Sequence, residues 1–348
     1  MSRPAHCLSP VLISRRSLLA HMASLALVTV ALLAAPLPAH ANDSSAVLGA
    51  GGLELTTSPD IVMEKENLYL SPEKVQVSYQ FRNESDQSIT TRVAFPLPLI
   101  DQSAFTNVSL PLPGDENFVD FHIRVNGQEI HPHLELRAFT QDGRDVTAEL
   151  TAAGVPLNSY LPDFEKKLRA VPDRIWRNLA AEGLLDTGAE DFLRRTDDVS
   201  PNWNLQATFY WEQTFPAGQN VQVEHSYRPI VGSSLMLEGD GRMDEFSAYC
   251  LDAAGRAGLE RLLRRHQNNP DPDAPREVPV REVDYVLTTG ANWKGPIGAF
   301  HLTIDKSAPD AILSLCMDGL TRTGPTTFEL TRENFTPKDD IRFVIFGG

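Results

Sequence analysis

Between Lys74 and Arg82 every second residue is apolar. Val75, Val77, Tyr79 and Phe81 alternate with Lys74, Gln76, Ser78, Gln80 and Arg82. A period of two belongs to a strand with one face in a core and the other in water. The polar run 83–88 reads as a turn, and Ile89, Thr91, Val93 and Phe95 resume the alternation. Pro96-Leu97-Pro98 then stops it, because proline donates no ladder hydrogen bond. A second hairpin is centred on Asn126-Gly127, a pair suited to positive φ at both turn positions. It separates Phe121, Ile123 and Val125 from Ile130, Leu134 and Leu136. Further strands are predicted over 205–211, 221–227, 283–287, 300–304 and 341–346.

From Thr147 to about Asp197 the period changes. Phe164/Leu168 and Ile175/Leu179 recur at helical spacing, with Pro162 and Pro172 where a first turn tolerates proline. A second helical stretch, 253–267, runs into Asn268–Pro275, a linker by composition. Strands at both ends with helices confined to insertions predict a mainly β fold: an antiparallel β-sandwich with a helical insertion at about 147–197. The expected organisation is a single domain over 42–348. Its β-rich N-terminal lobe takes 42–146 plus 201–235, the helical insertion 147–200, and the C-terminal β lobe 236–348.

Residues 1–41 read as a cleaved signal peptide. Arg3, Arg15 and Arg16 form a positive start, 18–35 is apolar, prolines 36 and 38 end it, and Ala39-His40-Ala41 offers small residues to a signal peptidase. Cleavage after Ala41 would make Asn42 the first mature residue. Arg15-Arg16 also fits twin-arginine export, so the expected location is periplasmic or secreted, by the Sec or the Tat route. The chain carries 46 acidic against 31 basic residues, a formal charge of −15, and the leader takes three arginines with it. So acidic a surface argues against nucleic acid and an anionic membrane surface, and with no second long apolar run the mature chain is not expected to insert stably in a membrane. An unidentified protein or envelope partner is expected instead.

The opening run Asn42-Asp-Ser-Ser-Ala-Val-Leu-Gly-Ala-Gly-Gly-Leu-Glu-Leu55, the 75–81 strand, Val93-Ala-Phe-Pro-Leu-Pro98 and Ala291-Asn-Trp-Lys-Gly-Pro-Ile297 carry a resemblance. They resemble DUF4424, a family of exported bacterial proteins of unknown function, over essentially the whole mature chain. The opening run is the most specific part. The resemblance implies no activity, cofactor or catalytic residue. A weaker fold-level similarity, to the vault/inter-α-trypsin (VIT) sandwich domain, rests on the strand–turn–strand ending in Phe-Pro-Leu-Pro and on 215–227.

Motifs for chemistry are mostly missing: no His-Glu-x-x-His helix, no phosphate-binding glycine loop and no Gly-x-Ser-x-Gly elbow. Catalytic residues are therefore unknown. In the Asn126-Gly127 hairpin, extrapolated pairing sets His122 opposite His131, Arg124 opposite Glu129 and Asp120 opposite His133, all on one face. His122, His131, His133 and Asp120 together would suit zinc or copper. The same positions read as a plain solvated face, and Arg124 would repel a cation, so no cofactor is assigned. His225 shares a face with Val221, Val223 and Tyr227 and reads as a core histidine. The tryptophans at 176, 203, 211 and 293 read as core or interface anchors.

Cys7 leaves with the leader, so the mature chain keeps Cys250 and Cys316. Two thiols in an oxidising compartment are expected to form a disulfide, here between two strand-like segments of the C-terminal half. The functional expectation leans against an enzyme. It is a periplasmic binding or interaction module on a β-sandwich scaffold, with partner contacts on the helical insertion. The alternative is an exported hydrolase acting on envelope polymers through unidentified acidic residues. A cleft holding two carboxylates would favour it.

Overall fold

The alternation around Tyr79 becomes a nine-residue strand whose inward side chains are all buried. The computed structural model describes residues 42–49, 52–103, 107–186 and 199–348. The leader, its cleavage site and the last part of the helical insertion lie outside them. In chain order the strands are β1 (Ser44–Gly49), β2 (Gly52–Thr56), β3 (Ile61–Leu70), β4 (Val75–Asn83), β5 (Ile89–Pro96), β6 (Ile100–Asp101) and β7 (Val108–Ser109). There follow β8 (His122–Val125), β9 (Gln128–Ile130), β10 (His133–Phe139), β11 (Leu185–Asp186), β12 (Ser200–Pro201), β13 (Asn204–Phe215) and β14 (Asn220–Tyr227). The last are β15 (Val231–Met236), β16 (Val278–Tyr285), β17 (Ile297–Asp305), β18 (Ile312–Leu315), β19 (Thr321–Arg322), β20 (Thr327–Phe335) and β21 (Ile341–Phe346). Helices α1 (Thr147–Ala152), α2 (Phe164–Ala170) and α3 (Asp173–Ala181) form the insertion, and α4 (Ala253–Gln267) follows β15.

Three large sheets result. One runs β10-β13-β5-β1-β2 with β6 beside β13; the second β19-β20-β17-β3-β4-β14-β8-β9; the third β18-β21-β16-β15-β7. Pairing is antiparallel except between β17 and β3, where a C-terminal strand lies parallel to an N-terminal one. Strands from both ends of the sequence thus share the eight-stranded sheet. Its inner side chains (Tyr79, Phe81, Val223, Phe300, Leu302) form one apolar core with Phe95 and Phe209 of the first sheet and Tyr285 and Phe343 of the third. Phe121 stacks on Phe209 with ring centroids 4.3 Å apart. This is a sandwich: one eight-stranded layer faces two smaller sheets, and the fold is mainly β as expected.

The helical insertion keeps a core of its own. Leu150, Phe164, Leu168, Trp176 and Leu179 pack around Trp203. All four tryptophans of the chain are buried.

Two local expectations fail. The strand after Asn126-Gly127 stops at Ile130, and Leu134 and Leu136 belong to β10, which pairs with β13 in a different sheet. Pro132, which has no N–H to donate, stands where the chain changes sheets. Residues 246–250 are not a strand either. They close a 3-10 helix, 242–249, whose buried Phe246 and Tyr249 are three apart, and Cys250 follows with φ of 55°. Cys316 lies one residue beyond β18. The two sulfurs are bonded, with α-carbons 5.0 Å apart, so the bridge joins a helix end to a strand end.

Candidate functional site

The outer face of the eight-stranded sheet is ordered by register. Successive pairings bring His301, Asn67, Ser78, Glu224, Arg124 and Glu129 into one row across β17, β3, β4, β14, β8 and β9. Two residues along, Thr303, Tyr69, Gln76, Ser226 and His122 make a second row. With strands about 4.8 Å apart, five steps span roughly 24 Å. These side chains line a groove of about 750 Å³. Arg124 stands between Glu224 and Glu129 on neighbouring strands, and Asn67 Nδ2 donates to Ser78 Oγ at 3.3 Å. Tyr69 OH donates to Asp305 Oδ2 at 3.2 Å; burial, then the Asp305 charge, pushes that phenol up from its ordinary value. The face offers donors and acceptors in alternation and one aromatic phenol.

His122 sits at the end of the second row. Its Nδ1 lies 3.2 Å from Glu129 Oε1 and its Nε2 3.1 Å from Asp120 Oδ1. The hydrogen bond to Glu129, and less that to Asp120, raises its pKa above the ordinary histidine value. The expected His122–His131 and Asp120–His133 pairs do not form. The hairpin ladder ends at Ile123–Ile130, Asp120 adopts a left-handed turn conformation, and His133 pairs with Tyr210 across β10 and β13. Among the described residues no group of three or more His, Cys, Asp or Glu side chains is placed to hold a metal ion.

A second polar cluster lies inside the sandwich. Asn42, Asp43, Glu66, His225 and Thr289 are all buried, and Tyr79 and Tyr285 close over them. His225 is the core histidine its apolar face predicts. Its Nε2 lies 3.2 Å from Asp43 Oδ2, and its ring stacks on Phe95 at 5.0 Å. Burial raises the pKa of Asp43, with the His225 charge opposing it. Burial also pushes Glu66 up to about 8, while the amide of Asn42 pulls it down. The Oδ1 of Asp43 and the Nδ1 of His225 have no hydrogen-bond partner. Asp43 and Glu66 line neither the sheet groove nor a second one of about 620 Å³ beside the β8–β9 hairpin. A pair of carboxylates with raised pKa is therefore present, closed off from a substrate-sized opening. Sequence reasoning gave no site role to Asn42, Asp43 or Glu66. The available signal was the opening run 42–55, with two polar residues heading the segment most specific to the resemblance.

Among solved structures, a candidate nutrient-binding protein of Legionella pneumophila is 15% identical over 88% of this chain and 70% of its own, with a TM-score of 0.45. An M1 zinc metallopeptidase of Deinococcus radiodurans, bound to a Tyr-Ser-Ala substrate, is 11% identical over 84% of this chain and 43% of its own, with a TM-score of 0.20. Likenesses this distant carry no functional argument. No curated protein matches the chain. The similarity to the VIT domain is not borne out. No helix among the described residues is long and apolar enough to cross a membrane. The family model of DUF4424, a domain of unknown function, matches residues 41–344, and the chain belongs to that family.

Proposed function

We propose that this is an exported, non-enzymatic binding module that holds an extended polar ligand of the cell envelope on the outer face of its eight-stranded sheet. The carrying observation is the pair of polar rows, one across six strands and the other across five, the longer spanning roughly 24 Å at the usual strand spacing. A run this long on a rigid sheet suits a ligand with repeated hydrogen-bonding groups. Both charge signs occur along it, with Arg124 between Glu129 and Glu224 and His122 between Glu129 and Asp120. The face thereby favours a polar chain over a polyanion, in keeping with the acidic net charge. The helical insertion is a weaker candidate, because its described apolar side chains are spent on its own core. The hydrolase reading finds two carboxylates with raised pKa, but they are buried within the sandwich.

A photo-crosslinking residue at Gln76, near the centre of the rows, tests the proposal in the native envelope, with the exposed Glu212 on β13 of another sheet as control. The expected result is an envelope adduct at Gln76 alone, lost when Arg124→Ala and Glu224→Ala are combined while the melting temperature holds. Matching adducts at both positions, or none at Gln76, would overturn it.

A further inference from the structure

Asn42, the residue that would follow a leader ending at Ala41, is buried with every polar atom engaged. Its backbone N donates to Thr289 Oγ1, and Thr289 Oγ1 donates to its carbonyl at 2.7 Å. Its Oδ1 accepts from Tyr79 OH and from the Asp43 N–H at 2.9 Å. Its Nδ2 lies 3.3 Å and 3.2 Å from the two oxygens of Glu66. The segment 288–293 clasps it from the far end of the chain: Trp293 Nε1 donates to Asp43 O at 2.7 Å and Asn292 Nδ2 to Ser44 Oγ at 2.9 Å. Gly290 leaves no spare room, since a Cβ there would come within 2.7 Å of Asn42 Nδ2. The two segments so joined, 42–55 and 291–297, are both among those that carry the family resemblance, and the family match begins at residue 41.

We propose that this chamber is a capture site for an α-ammonium group, and that its ligand is the chain's own N-terminus, made when a leader peptidase cuts between Ala41 and Asn42. The inference rests on the export reading above. In the cut, water adds across the peptide bond: the Ala41 carbonyl leaves as a carboxylate, and the Asn42 nitrogen takes up protons to become –NH3+. A peptide nitrogen has one N–H, which Thr289 Oγ1 already accepts. An ammonium brings two more donors and a positive charge into a chamber whose remaining acceptors are carboxylates. Glu66 is wholly buried and faces no cation among the described side chains. Asp43 has His225 on Oδ2 and nothing on Oδ1, a buried acceptor of the kind that folded proteins seldom leave unpaired. Burial, which holds Glu66 near 8 opposite a neutral amide, is offset once an ammonium stands in the same chamber. Maturation would then complete the core, with the new terminus as the counter-ion that Glu66 lacks.

Three measurements on protein matured in its own envelope decide this. Intact mass should give a chain starting at Asn42; any other start overturns the leader reading and this site together. Acetylation with an N-hydroxysuccinimide ester should spare the α-amine of the native protein and modify it after denaturation. Ready modification of the native protein overturns the site and leaves the leader reading standing. Glu66→Gln should lower the melting temperature of the Asn42-initiated chain by about 5 °C. The same substitution should not lower it in a chain carrying one extra residue before Asn42. Equal losses in the two backgrounds overturn the capture role.

Discussion

Glu66 occupies an inward position of β3, one that its neighbours Leu68 and Leu70 fill with apolar groups, and it has no exposure at all. Its folded pKa of about 8 stands above the 4.5 of a free side chain, because burial disfavours the charged form. The sign follows from linkage: the folded state holds this proton more tightly than the unfolded one. The stability it contributes is present below about 4.5 and lost as the pH rises to about 8. A chain whose Asn42 nitrogen is still in a peptide bond should therefore melt at lower temperature as pH is raised from 5 to 8. Glu66→Gln should flatten that decline and leave the variant the more stable of the two at pH 8. Thermal melts across this range check it, and an unchanged slope would assign the decline to other groups. Glu66 was hard to find in the sequence for the same reason it titrates oddly. An acidic letter in a strand reads as solvent-facing, and only the presence of Asn42, Tyr79 and Tyr285 around it makes the position interior. His225 was legible because Val221, Val223 and Tyr227 flank it on one strand, whereas its partner Asp43 lies 182 residues away.

Elements with one wet and one dry face announced themselves. β4 and β14 appear almost as their alternation predicts, since their side chains divide cleanly between core and groove. β3 did not, and the cause is a bulge between Met63 and Lys65. Before it the inward residues are Ile61 and Met63; after it they are Glu66, Leu68 and Leu70, so the parity changes within one strand. β20 was hidden differently. Beyond its buried Leu330 it runs Thr331-Arg332-Glu333-Asn334, all exposed, and shows no apolar period. The Asn126-Gly127 turn is as expected, with φ of 49° and 79°, and nothing lies near the missing Cβ of Gly127. Gly127→Ala should then cost about 1 kcal/mol from conformation alone, measurable by denaturant unfolding, with the sheet register unchanged. The Cys250–Cys316 bridge closes a separation of 66 residues, including the whole of α4 and the 268–275 linker. In the chain-entropy account such a closure is worth roughly 4 kcal/mol. Reduction should reveal two thiols absent from the denatured unreduced protein and lower the free energy of unfolding by about that amount. Two free thiols before reduction would refute the bridge.

At the scale of the molecule, the β-sandwich and the helical insertion are joined in a way that lets them be separated. β10 and β13 are antiparallel neighbours, and their last paired residues are Phe139 and Asn204. The chain thus leaves and re-enters the first sheet one strand spacing apart, about 5 Å, however long the excursion between. Topologically the whole segment 140–203 replaces a hairpin turn. Its buried apolar side chains form a cluster around Trp203, and the half-buried Leu157 and Tyr160 pack against the main core. Polar ties across the boundary include Gln102, which donates to Leu157 O at 2.9 Å and accepts from Ser159 N at 2.7 Å, the Arg137–Asp145 ion pair, and the Ala138 N–H donating to Thr147 Oγ1 at 2.9 Å. Replacing 140–203 with Asn-Gly should therefore leave a two-residue hairpin that the strand twist favours and a sandwich that still unfolds cooperatively. None of the side chains in the two polar rows lies in the deleted segment. If the sheet face binds the ligand, the shortened protein should keep its crosslink at Gln76. A folded variant that has lost the crosslink would move the binding surface to the insertion, and circular dichroism with a thermal melt would establish that it is folded.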